Sequence, residues 1–212
     1  MLFQRSYFFA LCTICFISAT ATVLSDMQPP ETKRYTISES SKLYLSGTTN
    51  VNLFTCDCED RWVAQSIQVE NGGAYSRFRN ARLSMMTRKF DCHNAKMDRD
   101  MHKALKAESY PAIQIELLET WYDPEQAKQA KKDWFDVKAK VKVTITGVTR
   151  IQFIEAKAKA TTQNHFALKG EKALKMTEFG IDPPEALFGL IKVNDQITFH
   201  FDLGIQVEDE VD

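Results

Sequence analysis

The reactive side chains of the central sequence gather in two short runs. FTCDCED places Cys56 and Cys58 two residues apart, and FDCHN places Cys92 beside His93. Three sulfurs and an imidazole nitrogen are a donor set that zinc accepts, although C-x-C and C-H are not standard zinc spacings. Two residues apart on a strand, Cys56 and Cys58 point to the same face, which makes a bond between them awkward. Either can bridge to Cys92. Because Cys58 lies nearer the charged strand end, the reading favours a Cys56–Cys92 disulfide with Cys58 left over. A metal or thiol function at Cys56, Cys58 and Cys92 is the alternative, without the C-x-x-C spacing of a redox pair.

Other candidates are dispersed. His93, His102, His165 and His200 form neither H-x-x-x-H nor H-E-x-x-H, so no metal ligand is assigned. His102 follows Asp98 by four residues, which suits a helix-surface pair more than the alternative of a contact to a polar headgroup. Arg99 and Asp100 are adjacent on the same helical stretch and do not face each other, so salt bridges to nearby strands fit them better than acid–base work. His200 falls on the polar side of its strand and is read as solvent-exposed. G-x-S-x-G, the P-loop and the dinucleotide-binding glycine pattern are missing from the sequence, and no catalytic residue is assigned.

The elements that must position these residues are strands. From Val137 to Ile145 the odd positions are apolar and the even ones are Lys138, Lys140, Lys142 and Thr144. From Ile197 to Val207 the odd positions read Ile, Phe, Phe, Leu, Ile, Val. Both runs alternate as half-buried strands do. Weaker strands are expected at 42–45, 51–58, 62–69, 82–90, 113–118, 151–160 and 166–177, about eight or nine in all, joined mostly by short turns such as Thr146–Thr149. Without βαβ alternation the sheet is expected to be antiparallel. One amphipathic helix interrupts it at about 95–108, where Met97, Met101, Ala104 and Leu105 share a face, Asn94 or Asp98 caps the start, and Tyr110-Pro111 ends it. A shorter helical piece is expected at 124–132. Strands with one apolar face hide it by pairing two sheets or by closing one, and about eight closed strands leave an interior that is filled or holds one small ligand.

The chain has 212 residues and a formal net charge of −1. That length supports a single domain with its own core. The charge balance and the lack of a long basic run exclude nucleic acid as a bulk-charge partner. Residues 1–21 start basic, continue as an apolar run from Tyr7 to Ile17, and end at Ala19-Thr20-Ala21. This is the pattern of a signal peptide, too short for a comfortable membrane span, so the mature chain is expected at a bacterial envelope, periplasmic or secreted, without a transmembrane span. Residues 22–33 read as a flexible leader, and residues 34–208 as the domain.

Three motifs connect the domain to a known family. RDMH at 99–102 followed by Tyr110-Pro111 and a strand, TITGVTR at 144–150, and FGI at 179–181 followed by two prolines occur in the order and spacing of YceI-like domains, which the chain resembles over residues 34–207. Met176, Thr146 and Lys103 stand where members often carry arginine, lysine and leucine. The resemblance implies an all-β fold: an extended antiparallel, lipocalin-like barrel with the helix at one end. It also implies an exported protein that requires no cofactor and binds a polyisoprenoid or an isoprenoid quinone. Of the helix motif, Arg99, Asp100 and His102 match residue by residue and are assigned to the mouth.

The residue pattern then assigns Val137, Val141, Val143, Phe199, Phe201 and Leu203 to the lumen, a Phe-rich and lysine-free lining suited to hydrocarbon. The functional expectation is a non-catalytic binder of a long apolar molecule, with homodimerisation left open. The alternative is a filled barrel that meets an envelope protein through Lys138, Lys140 and Lys142.

Overall fold

Lysines and threonines that alternate with valine and isoleucine leave each strand one face to hide, and the chain hides it by closing a sheet. The computed structural model describes residues 29–209 apart from 163 and 187. The expected signal peptide and most of the expected leader lie outside these residues. In chain order the elements are β1 (Glu31–Ile37), β2 (Lys42–Thr49), β3 (Leu53–Cys58), β4 (Gln65–Asn71), β5 (Tyr75–Met86), β6 (Phe90–Asp91), α1 (Ala95–Ala104) and β7 (Ala112–Tyr122). They continue with α2 (Pro124–Ala127), β8 (Phe135–Ile145), β9 (Val148–Ala160), β10 (His165–Lys175), β11 (Glu185–Ala186) and β12 (Ile191–Asp209).

The path β1-β4-β5-β7-β8-β9-β10-β12 closes through β1–β12 pairing into a ring of 8 strands, with every neighbour antiparallel. The 19 residues of β12 form its spine. One edge of β12 pairs with β10, and the other pairs with β2 at 193–202 and with β1 at 205–209. Thus β1 and β2 run end to end, and β2 carries β3 and β6 as a flap beside the ring. The break between them is stitched to the spine: the Ser38 N–H donates to the Gly204 carbonyl at 2.8 Å, and the Gly204 N–H donates to Ser41 Oγ at 3.0 Å. A Cβ at 204 would stand 3.1 Å from Ser38 Cβ, so glycine lets the corner approach.

α1 forms where the sequence placed it, but it is shorter. Asn94 caps it, its side chain accepting from the Lys96 and Met97 amides. Lys106 adopts φ 49°, a left-handed residue that terminates a helix, so the segment to Tyr110 is turns rather than a continuation to 108. Met97, Met101, Ala104 and Leu105 pack against the core as their spacing requires. α2 likewise stops after four residues. At the other end of the domain, Glu31–Lys33, expected in the leader, belong to β1. Lys33 bridges Glu31 at 2.8 Å and Asp209 in the neighbouring strand. ETKRYTI carries too few apolar residues for its alternation to show.

Candidate functional site

An apolar cavity of about 350 Å³ lies under α1 at one end of the barrel. Its walls come from distant parts of the chain: Leu45, Phe54, Ile113, Ile145, Leu174, Ile197 and Phe199 from strands, and Phe179 and Ile181 from the segment after β10. Met97, Met101, Ala104 and Leu105 roof it. Below it the barrel is filled, because Leu43, Met85, Val141 and Val143 are buried in one continuous core. Polar groups border the cavity: Asn52, Asn94, Lys96, Asp100, Lys175 and Glu185.

Three devices hold these walls. The Cys56–Cys92 disulfide, as the cysteine spacing favoured, joins β3 to the approach of α1 and itself lines the cavity. Asp98, instead of pairing with His102, accepts the Cys92 amide at 2.8 Å and ties α1 to that bond. A 3₁₀ turn at Met176–Phe179 places the Phe179 ring. The Thr177 amide and hydroxyl both donate to Asp195, at 2.9 and 2.7 Å, which lowers the Asp195 carboxyl pKa through the amide first and the hydroxyl next. From the β8–β9 turn, the buried Thr146 hydroxyl donates to the Phe179 carbonyl.

The six residues expected to line the lumen divide. Phe199 lines the cavity, Val141, Val143 and Leu203 are buried, and Val137 and Phe201 border a broad concavity of about 1200 Å³ towards the opposite ends of β8 and β12. That concavity mixes apolar and charged groups, among them Lys42, Glu155, Lys169 and Glu171. The inner face is not free of lysine, since Lys172 stands directly opposite Phe199 in the β10–β12 ladder. Of the residues assigned to the mouth, Asp100 borders the cavity. Arg99 and His102 face the other side of α1, in a groove of about 440 Å³ with Arg88, Lys103, Lys106 and Glu108. His102 Nε2 is buried there without a hydrogen-bond partner. The strand pattern missed Phe54, Ile113 and Phe179, which share the cavity only through long-range pairing. The apolar stripe of α1 was the signal that did point to it.

The remaining candidates resolve individually. Cys56 and Cys92 have no thiolate to offer zinc, and His93 instead contacts Asp57 at 2.9 Å, so the four-ligand reading fails. Cys58 is a free thiol whose burial pushes its pKa up to about 11, the opposite of a reactive cysteine. His200 is not simply exposed: it contacts Ser46 Oγ at 2.9 Å and Glu171 at 3.1 Å, and Tyr44 stacks on it at 4.5 Å. This Ser–His–carboxylate order resembles a nucleophile with its base. Yet Ser46 sits mid-strand between Thr55 and Thr198, where the amides that could hold an oxyanion are committed to the ladders. On the outer face, Lys140 and Lys142 pair with Glu119 and Glu116, and Lys138 lies over the Phe153 ring at 5.2 Å, so the expected basic surface is largely neutralised.

Comparison with known proteins agrees with the geometry. A polyisoprenoid binding domain from Saccharophagus degradans, described as implicated in plant cell wall breakdown, superposes with a TM-score of 0.57 at 10% identity, covering 81% of this chain and 97% of that one. BcnA of Burkholderia cenocepacia superposes with a TM-score of 0.55 at 13% identity, covering 77% of this chain and 95% of its own. At such identities the likeness is one of fold. No curated protein sequence matches the chain. The family model described as the YceI-like domain matches residues 39–205, and with the barrel, the helix and the three motifs in place the chain belongs to the YceI-like domain family.

Proposed function

We propose that the chain is an exported, non-catalytic lipid carrier that holds the hydrocarbon of a polyisoprenoid or isoprenoid quinone in the cavity beneath α1. The observation that carries this reading is the cavity itself. Its walls are aliphatic and aromatic, its polar groups stand at the border, and its volume of about 350 Å³ lies in the range of roughly 300–1,000 Å³ typical of small-molecule sites. A wall made mostly of aliphatic and aromatic side chains favours hydrocarbon, and the mixed border of Asn94, Lys96, Asp100 and Lys175 suits a polar headgroup. Family membership and the description of the Saccharophagus domain support the same ligand class. The signal-peptide pattern of residues 1–21 supports export.

Native mass spectrometry of protein purified from an exporting host, followed by organic extraction, tests this. The expected result is a stoichiometric apolar adduct with isoprene-spaced fragments. Ala104→Phe puts a ring into the roof of the cavity and should eliminate the adduct without unfolding the barrel. A clean apo mass that stays unchanged after incubation with polyprenyl lipids would sink the proposal, as would undiminished retention by Ala104→Phe.

A further inference from the structure

Two hairpin tips beside the cavity carry apolar side chains that the fold does not use. Val51 and Leu53 sit at the β2–β3 tip, and Phe188 and Leu190 at the β11–β12 tip; their exposures run from 64% to 108% of full accessibility. The tips are joined rigidly. Asn50 donates through its side chain to the Leu190 carbonyl at 2.9 Å, its side-chain oxygen accepts the Lys192 amide at 2.9 Å, and its own amide donates to the Lys192 carbonyl at 3.1 Å. A Lys192–Glu185 pair at 3.0 Å braces the second hairpin. Both tips adjoin the apolar cavity, since Val51, Glu185 and Ile191 line it.

We infer that these tips form a membrane-docking surface that inserts into the headgroup boundary of a lipid bilayer and brings the cavity to the lipid it loads or delivers. The loading role rests on the proposed lipid carrier; the docking itself does not. Four convex side chains present on the order of 400 Å² of apolar surface, about half of what one partner contributes to a stable protein–protein interface, so a second copy of the chain is the poorer occupant. Separated apolar tips suit a fluid, deformable partner better than a flat protein face, and apolar side chains at the boundary are how interfacial proteins hold a bilayer. Charge does not dominate the site, because the cavity border mixes Lys96 and Lys175 with Asp100 and Glu185. The docking therefore selects apolar insertion over anionic lipid.

Flotation with phosphatidylcholine vesicles tests this on the full chain and on a variant carrying Leu53→Ser, Phe188→Asn and Leu190→Ser. Asn is chosen at 188 because φ there is 58°. Both proteins share one N-terminus, so their difference reads the tips. The expected result is a roughly tenfold or greater loss of partition in the variant, with less than about a twofold change for the wild type between low and high salt. Equal partition of the two proteins, no partition of the wild type, or a steep salt dependence each overturns the docking. A concentration-dependent dimer that vanishes in the variant, without vesicle binding, reassigns the tips to a second copy and overturns it too. Polyprenol retention, read separately by native mass spectrometry, should be equal in both proteins. If retention fails in both while partition differs, the cavity reading falls and the docking stands.

Discussion

Breaking the Cys56–Cys92 bond should cost a large share of the stability of this fold. The two cysteines are 36 residues apart in sequence. Closing a loop of that length removes roughly 13 cal/mol/K from the unfolded chain, about 4 kcal/mol at 25 °C. Against a net stability of about 5–15 kcal/mol for a domain, that is a major fraction. For a chain of this size it corresponds to a fall in Tm of roughly 8–15 °C. The effect should concentrate at the α1 end, because the bond ties β3 to the approach of that helix and the Asp98–Cys92 hydrogen bond continues the link. The assay is urea unfolding of Cys58→Ser protein, refolded either oxidised or in reductant, with a thiol count on each sample. In protein lacking residues 1–21, and with them Cys12 and Cys15, the substitution prevents reshuffling and leaves the pair intact. The reduced form should show a lower midpoint and lose ligand retention at lower denaturant. Complete reduction with an unchanged midpoint would refute the reasoning, because the cross-link would then contribute nothing the folded packing does not already supply.

Three further outcomes are expected. Burial pushes the Cys58 thiol from its ordinary 9.0 up to about 11, so alkylation of the folded protein at pH 8 should run roughly 100-fold slower than in the unfolded chain. The sign for stability follows: a thiol that keeps its proton longer when folded contributes fully below about pH 9 and loses that contribution as pH rises towards about 11, and Cys58→Ser should remove this slope from pH-dependent unfolding. Gly170→Ala would put a methyl 2.7 Å from the Phe201 ring and 3.1 Å from the Glu155 carbonyl oxygen; a loss of about 1–3 kcal/mol in chemical denaturation is expected, and a neutral result would mean that β9 and β10 yield freely there. Thr146→Ala strips a hydroxyl donor from the buried Phe179 carbonyl and should cost about 1–3 kcal/mol, with Thr146→Ser recovering most of it.

What the residues determined by themselves were the local preferences that physics imposes at short range. The alternation at 137–145 and 197–207 set two strands and their buried faces, because a side chain on a strand has only two sides to choose from. Met97, Met101, Ala104 and Leu105 set the inner face of α1, and Asn94 its start, because helical spacing and an unsatisfied amide leave little choice. The favoured cysteine pair and the short hairpin at Thr146-Gly147 were legible for the same kind of reason, and the three motifs made the family legible as well.

Tertiary structure decided everything that depends on which strand meets which. Charged β1 is a strand only because β4 and β12 flank it. Val141 and Val143 have the same inward alternation as Phe199, yet they fill the barrel while Phe199 faces open space, and no pattern along a strand distinguishes filler from wall. Arg99 and Asp100 are neighbours in sequence, but the rotation of the helix sends one to a basic groove and the other to the cavity. The cavity is a volume left between elements far apart in the chain, set by barrel closure, by the Cys56–Cys92 staple and by the turn that seats Phe179. Such a volume is a property of packing, and packing exists only once the chain has closed on itself.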